Sequence, residues 1–256
     1  MTRRSDGLSA APTGGSAAVV DPGAGRLALF DLDRTIYPGS TLVPFARAMR
    51  SRGLVSGAQL LKGMGRNVVF RRSGSTDALV DRVRRELLAG AEGIERRLVE
   101  EVALEVADEV VDGARVGLRL LIDRHLAAGD FCVVLSASPQ ELVSAVARRL
   151  GVQRGVGTVA ATADGLYTGE IDGAFCYGAG KLVRLADALG AVDLDTAAAY
   201  ADSISDLPVL EAVGEAVVVR PDAELRRIAA DRGWPIVDFD DRAAGRRSWI
   251  SPAATS

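Results

Sequence analysis

The chain has 256 residues, of which 48% are hydrophobic, and its formal net charge is −3. This composition predicts a well-packed protein with one α/β core plus a modest insert, or with two small domains, and it argues against a disordered chain. The small net charge gives no sign of nucleic acid or of an anionic membrane as a partner. Cys132 and Cys176 form neither a C-x-x-C pair nor a disulfide framework, so a reducing, cytoplasmic location is expected.

Both ends of the chain are predicted to be flexible tails, at residues 1–25 and 241–256. The first is rich in Gly, Ala, Ser and Pro, and no apolar stretch of signal-peptide length follows Arg3 and Arg4. The second is mostly polar and rich in small residues. No run approaches the ~18 apolar residues that a membrane span requires.

Short apolar runs predict the strands of a parallel sheet. They cover residues 27–30, 131–135, 197–201, 216–219 and 236–239, and such continuous runs are typical of strands that are covered on both faces. A hairpin is predicted within 159–171, with Asp164 and Gly165 as its turn. Helical patterns at 114–128, 138–150, 181–189 and 223–231 are each followed by a glycine within two residues. This order predicts a doubly wound α/β fold.

Residues 41–112 interrupt this order, because they show helical periodicity and no convincing strand. We interpret them as a helical cap inserted after the first strand, which leaves 26–40 and 113–240 as the catalytic core. Three apolar stripes support this interpretation. They are Leu42, Phe45, Ala46 and Met49; Leu79, Val83 and Leu87; and Leu98, Val102 and Val106.

Three of the predicted strands end in polar or acidic residues. These are Asp31 and Asp33, Ser136 and Ser138, and Asp202 and Asp206. Open α/β sheets bind ligands at the carboxyl ends of their strands, and carboxylates gathered there repel each other unless a cation lies among them. The pattern therefore predicts a site for Mg²⁺, a hard ion that takes oxygen ligands.

The same residue types suit the transfer of a phosphoryl group. An aspartate nucleophile divides hydrolysis into two displacements, and a second aspartate two residues later can protonate the leaving oxygen and then activate water. Ser136 and the N–H groups of the helix that follows can bind phosphate oxygens, and Lys181 can neutralise charge. Ser138 is favoured as the cap of that helix, in a capping box with Glu141. For His125, a packing or surface role is favoured over catalysis.

The chain resembles the haloacid dehalogenase-like superfamily, in the branch (subfamily IB) that is similar to phosphoserine phosphatase. Four motifs carry the resemblance, in order, over about residues 27–239. They are D-x-D-x-T at residues 31–35, Ser136 after an apolar strand, Lys181 after a glycine, and A-D-S-I-S-D-L-P at residues 201–208. The last motif has Ala201 where the family usually has glycine.

The resemblance implies a phosphatase that works with Mg²⁺ through an aspartyl-phosphate. In that family pattern Asp31 is the nucleophile and a metal ligand, and Asp33 is the general acid and base, with a backbone carbonyl on the metal. Asp202 is the third protein ligand of the metal. Ser136, Ala137 and Lys181 hold the phosphoryl group, and Asp206 supports the metal site or orients Lys181.

The substrate is expected to be a small phosphorylated metabolite. Phosphoserine is the leading candidate, although residues 36–41 lack the acidic group that could hold its amine. Histidinol phosphate and a glycerol phosphate are alternatives, and Arg66 or Arg71 of the cap could hold a substrate carboxylate. A phosphotransferase on the same fold is less favoured, because Arg34 follows the second aspartate of the first motif where mutases of the family usually have glycine. A non-catalytic binding protein is less favoured because no motif residue is lost.

Overall fold

The structure is a computed structural model that describes residues 25–55 and 90–239. Within these ranges six parallel strands form one sheet in the order β3-β2-β1-β6-β7-β8, and two further strands, β4 and β5, form an antiparallel hairpin. The strands are β1 Leu27–Phe30, β2 Phe131–Pro139, β3 Arg154–Thr158, β4 Ala160–Ala163, β5 Leu166–Ile171, β6 Ala198–Ala201, β7 Glu215–Val219 and β8 Ile236–Val237. The predicted doubly wound sheet is confirmed.

Helices cover both faces of this sheet. They are α1 Leu42–Ser51, α2 Arg96–Asp112, α3 Val116–Ala127, α4 Gln140–Leu150, α5 Gly180–Leu189, α6 Leu207–Ala212 and α7 Ala223–Arg232, with a 3₁₀ turn at Ile204–Asp206 before α6. None of these helices combines the length and the apolar character that a membrane crossing requires.

Alternation along the strands divides the core into two layers. One layer contains Phe30, Val134 and Tyr200 together with apolar residues of α1, α2, α3 and α4. The other contains Leu29 and Val133 together with apolar residues of α5, α6 and α7. Because both faces are buried, the strands could be found as continuous apolar runs.

Several helices and the hairpin end at the glycines and turn residues that the sequence predicts. Gly151 and Gly233 lie in the left-handed region directly after α4 and α7, as expected for glycines at helix ends. Asp164 and Gly165 connect β4 to β5 with φ angles of 50° and 81°, and strand residues Ala163 and Leu166 pair across this turn.

Strand β3 was not predicted, and its two glycines explain why. A side chain at Gly155 would place its Cβ 2.6 Å from the carbonyl oxygen of Val143, and one at Gly157 would lie 2.8 Å from that of Ser138. The backbone of α4 and of the end of β2 therefore approaches β3 too closely for larger residues. Because glycines replace apolar side chains at these two positions, β3 lacks the continuous apolar run by which strands are recognised in a sequence.

The predicted capping box at Ser138 is wrong. Helix α4 begins at Gln140 after Pro139, and its start has no side-chain cap. The hydroxyl group of Ser138 instead donates to a carboxylate oxygen of Asp33, at 3.1 Å. A long-range contact has replaced the local one.

Two helices of the proposed cap region are described. Buried residues of α1 and α2, including Phe45, Met49, Val102 and Val106, join the core layer that also contains α4. The stripe of Leu79, Val83 and Leu87, together with Arg66, Arg71 and nearly all of both predicted tails, lies outside the described residues. The division into core and cap stays a prediction.

Candidate active site

The site lies where β1, β2 and β6 end beside one another. Asp31 follows β1, and its backbone N–H donates to the carbonyl oxygen of Tyr200 on β6 at 2.9 Å. Parallel pairing of β1 with both β2 and β6 brings the residues after these strands to one edge of the sheet. The loop after β1 is closed by the N–H of Arg34, which donates to the carbonyl oxygen of Gly39 at 3.0 Å.

Asp31 shares a buried cation with Asp206. The ammonium group of Lys181 donates to Asp31 Oδ1 at 2.7 Å and also to Asp206 Oδ1. Lys181 is 4% exposed. Burial alone would lower the pKa of this lysine, but the charges of Asp206 and Asp31 outweigh burial and raise it. The lysine therefore stays charged beside Asp31, and Asp206 makes the contact that an orienting residue requires.

The carboxylate of Asp33 lies in a cage of hydrogen-bond donors. Thr41 donates to Oδ1 from its backbone N–H at 2.5 Å and from its hydroxyl at 2.9 Å. Ser136 and Ser138 donate to Oδ2 from their hydroxyls, at 3.2 and 3.1 Å. These contacts fix the direction of the Asp33 side chain relative to Asp31.

The pKa of Asp33 is raised in this cage. Burial is the main cause and the charge of Asp31 the second, and the hydrogen bonds from Thr41 and Ser138 oppose both. The two oxygens differ in what they face. Oδ1 meets a backbone N–H, which can only donate, whereas Oδ2 meets only hydroxyls, which can reverse and accept. A proton on Asp33 is therefore best placed on Oδ2.

Asp202 completes a cluster of carboxylates that could hold a metal ion. One oxygen from each of Asp31, Asp202 and Asp206 lies within 4.8 Å of the others. Burial, and then the charge of Asp31, raise the pKa of Asp202 to about 8, so the cluster disfavours full ionisation without a further cation. Oxygen ligands in such a group fit a hard divalent ion. The carboxylate of Asp33 is not part of this cluster, because it lies in the cage of donors described above.

The predicted phosphate-binding residues are at the same edge. Ser136 is buried and contacts Asp33, while its hydroxyl accepts from the N–H of Ser138 at 3.1 Å. Ala137 between them is partly exposed. Its carbonyl oxygen accepts from the hydroxyl of Thr158, at 2.9 Å. Of the predicted site residues, all seven therefore lie around the ends of β1, β2 and β6 and the start of α5.

Sequence reasoning missed several residues that hold these groups in place. Thr41 was assigned only to the cap, and Asp222 was not singled out. Asp222 Oδ2 accepts from the N–H of Ile204 at 2.9 Å, and its own N–H donates to the carbonyl oxygen of Asp202 at 3.0 Å. The acidic residue before α7 was the available signal, because Asp222 also caps that helix.

His125 packs against Phe30 and Tyr200, on the face of the sheet opposite the helix that carries Lys181. It is buried, with Nδ1 2.6 Å from Asp130 Oδ2 and Nε2 2.8 Å from the hydroxyl of Tyr200. The ring of Phe30 stacks on that of Tyr200. The histidine therefore has its partners inside the core, in agreement with the predicted packing role.

Comparison with known proteins identifies the family of the chain. A sequence profile for haloacid dehalogenase-like hydrolases matches residues 28–211. The chain belongs to this family. Phosphoserine phosphatase SerB1 of Mycobacterium tuberculosis is 38% identical over 218 residues, which cover 83% of this chain and 70% of that protein. A histidinol-phosphatase of Neisseria meningitidis is 30% identical, over 84% of this chain and 99% of its own length. These matches support a hydrolase of this family with phosphatase activity.

Solved structures of similar proteins share the fold. A protein of unknown function from Bordetella pertussis matches with a TM-score of 0.67 at 30% identity, and covers 84% of this chain and 99% of its own. A phosphoserine phosphatase, solved as an analogue of its phospho-aspartyl intermediate, matches with a TM-score of 0.56 at 17% identity, over 79% of this chain and 90% of that one. This likeness agrees with the predicted doubly wound fold, and the sequence profile confirms the family.

Proposed function

We propose that the protein is a magnesium-dependent phosphatase that hydrolyses a small phosphomonoester through an aspartyl-phosphate on Asp31. One observation carries the proposal. The two aspartates that follow β1 lie in different environments: Asp31 contacts a buried ammonium group, and Asp33 lies in a buried cage of donors, where burial and the charge of Asp31 raise its pKa. A carboxylate fixed on a cation suits a nucleophile, and a carboxyl group whose pKa is raised suits a general acid.

In the first step an oxygen of Asp31 forms a bond to phosphorus while the bond from phosphorus to the substrate oxygen breaks. Lys181 holds Oδ1, so we assign the attack to Oδ2. Asp33 gives its proton to the departing oxygen, which leaves as an alcohol. The buried ammonium group of Lys181 stabilises the charge on the reacting groups.

In the second step water attacks the phosphorus of the aspartyl-phosphate. Asp33, now ionised, takes a proton from that water, inorganic phosphate leaves, and the Asp31 carboxylate is restored. The serine hydroxyls can donate to Asp33 while it is charged and accept from it when it is neutral. The cage can therefore hold Asp33 in both of its charge states.

Asp31, Asp202 and the backbone carbonyl of Asp33 are proposed to hold Mg²⁺, with Asp206 in support. When bound, the ion would offset repulsion between the phosphate and the carboxylates and orient the phosphoryl oxygens. Ser136, Ala137 and Lys181 are proposed to bind those oxygens, because Lys181 contacts Asp31 and Ser136, which precedes Ala137, contacts Asp33 at the same edge of the sheet.

The proposed substrate is phosphoserine or a similar metabolite, with histidinol phosphate as the second candidate. The names of two relatives support these choices, and the Neisseria relative matches over nearly its whole length. Residues 41–112 are proposed to form a cap that selects between them. The contact of Thr41 with Asp33 supports this, since it joins the start of that segment to the site. We propose a cytoplasmic location, because both cysteines are free and buried.

The direct test is release of inorganic phosphate from phosphoserine, histidinol phosphate, glycerol phosphates and sugar phosphates, with Mg²⁺ and with EDTA. We expect metal-dependent release, with one compound turned over well above the others. No release from any of them would contradict the proposal that the substrate is a small phosphomonoester.

The covalent step is tested with Asp31→Asn and a matched control. Asp31→Asn should lose at least about 1,000-fold in kcat, because an amide does not displace the leaving group. Asp164→Asn makes the same chemical change in an exposed hairpin turn and should keep full activity. If Asp31→Asn retained more than a few per cent of the wild-type rate, the aspartyl-phosphate mechanism would be wrong.

A further inference from the structure

A second cation of the chain reaches the carboxylate cluster. Arg34 Nε lies 2.9 Å from Asp202 Oδ2. The hydroxyl of Thr35 points to the other oxygen, Asp202 Oδ1, at 3.5 Å. Both oxygens of Asp202 therefore face donors that belong to the protein itself. A metal ion held by Asp202 needs lone pairs of the same carboxylate.

The backbone of Arg34 indicates that its side chain matters. Its φ angle is 67°, in the left-handed region where residues other than glycine and asparagine are uncommon because their Cβ crowds the backbone. A glycine would suit this turn better, yet the chain has an arginine that pairs with a buried carboxylate. Strain of this kind at a site is retained when the side chain contributes something in return.

The two cations of the cluster differ in how easily they can leave. Lys181 is 4% exposed and contacts two carboxylates, so its departure would strand a charge in the core. The side chain of Arg34 is 38% exposed, while that of Asp202 is only 8% exposed. The guanidinium group can therefore move into water at small cost, whereas Asp202 cannot follow it.

We propose that Arg34 is a tethered cation that competes with the divalent metal for Asp202. While the metal is absent, Arg34 neutralises and positions this carboxylate. When the metal binds, Arg34 releases Asp202 and turns to solvent. Arg34 thus lowers the affinity for the metal and keeps the metal-free site folded. This inference rests on the proposed metal site of the phosphatase.

The test measures binding of Mg²⁺ alone to the EDTA-stripped full chain by isothermal titration calorimetry. Arg34→Gln removes the charge and keeps the stem of the side chain. We expect it to bind Mg²⁺ about two- to fivefold more tightly than the wild type, as the loss of a partly exposed competing ion pair predicts. Arg34→Lys keeps the charge but loses the planar group, so its affinity should lie between the two.

The matched control is Arg97→Gln. Arg97 forms an ion pair with Glu101 at 2.6 Å on the exposed side of α2, so this variant makes the same change in net charge at another place. We expect its affinity for Mg²⁺ to equal that of the wild type. An equal gain in affinity in Arg97→Gln and Arg34→Gln would mean that overall charge is responsible, and it would overturn the inference.

Thermal unfolding gives a second measurement that does not depend on activity. In EDTA, Arg34→Gln should melt at a lower temperature than the wild type. Saturating Mg²⁺ should raise the melting temperature of Arg34→Gln by more than it raises that of the wild type. Equal or weaker Mg²⁺ binding by Arg34→Gln would overturn the competition alone. Absence of Mg²⁺ binding in both proteins would overturn the proposed metal site, and the competition with it.

Discussion

Lys181 offers a sharp test of how the site is held together. Its ammonium group bridges Asp31 and Asp206, and all three side chains are less than a tenth exposed. Lys181→Met keeps most of the volume of the side chain but removes the charge. The variant would leave two carboxylates side by side in the core, with no cation between them. We expect a large loss of stability as well as a loss of turnover.

The size of the effect can be worked from the geometry. At an effective dielectric constant of about 20, unit charges at the 2.7 Å separation of Lys181 Nζ and Asp31 Oδ1 attract each other by about 6 kcal/mol. Desolvation of the ions offsets part of this, and loss of one partner of a buried pair costs about 3–5 kcal/mol. We therefore expect Lys181→Met to lower the free energy of unfolding by about 3–5 kcal/mol.

A double-mutant cycle isolates the electrostatic part. Lys181→Met, Asp206→Asn and the double variant are unfolded with urea in EDTA, so that no metal ion can replace the lysine. Because Asp206→Asn removes one of the two uncompensated charges, the coupling energy should be at least about 2 kcal/mol. Urea midpoints and slopes give the free energies if the slopes stay constant across the cycle.

The matched control is the exposed pair of Arg97 and Glu101, whose atoms are 2.6 Å apart. The separation is nearly the same as in the buried pair but the pair is open to solvent, so its coupling should be only about 0.3–0.5 kcal/mol. A coupling between Lys181 and Asp206 as small as that of the exposed pair would refute the argument that burial makes this lysine a structural part of the site.

Three further predictions test other contacts. A Cβ atom at Gly180 would lie 2.0 Å from a backbone carbonyl oxygen of the preceding loop. Gly180→Ala should therefore shift the start of α5 and lower kcat at least about tenfold, and an unchanged kcat would contradict this packing. Burial raises the pKa values of Cys132 and Cys176 to about 12, so neither thiol of the native protein should react with a disulfide reagent at pH 8. The denatured chain should show two reactive thiols, and rapid labelling of the native protein would disprove burial. Tyr200→Phe leaves a buried nitrogen of His125 without its partner and should cost about 1–2 kcal/mol of unfolding free energy with little change in kcat; a variant as stable as the wild type would show that the bond contributes nothing.

Much of the fold could be predicted because one physical rule governs it. Strands β1, β6 and β7 are buried on both faces, so each appears in the sequence as a continuous apolar run. The same runs locate the acidic residues, since a charged side chain directly after such a strand must lie at the edge of the sheet. The sequence alone therefore places Asp31 and Asp202 together.

The contacts that tune Asp33 could not be predicted in this way. Its partners Thr41 and Ser138 are separated by 97 residues in the chain, and their hydroxyls meet at 3.0 Å only because α1 and the end of β2 approach each other. Side-chain hydroxyls carry no periodic pattern, so their partners depend on tertiary structure alone. A serine before a helix looks the same whether it caps the helix or binds a catalytic carboxylate.

The departures from local preference nevertheless concentrate at the site. Helix α4 starts without a side-chain cap because the hydroxyl of Ser138 is committed to Asp33, and Arg34 holds a left-handed backbone because its side chain is committed to Asp202. In each case the local alternative is more favourable for the backbone, and a buried carboxylate outweighs it. Natural sequences tolerate such conflicts mainly where chemistry requires them. A capping serine without a capped helix, and an arginine where glycine fits better, therefore indicate the same edge of the sheet that the aspartates indicate.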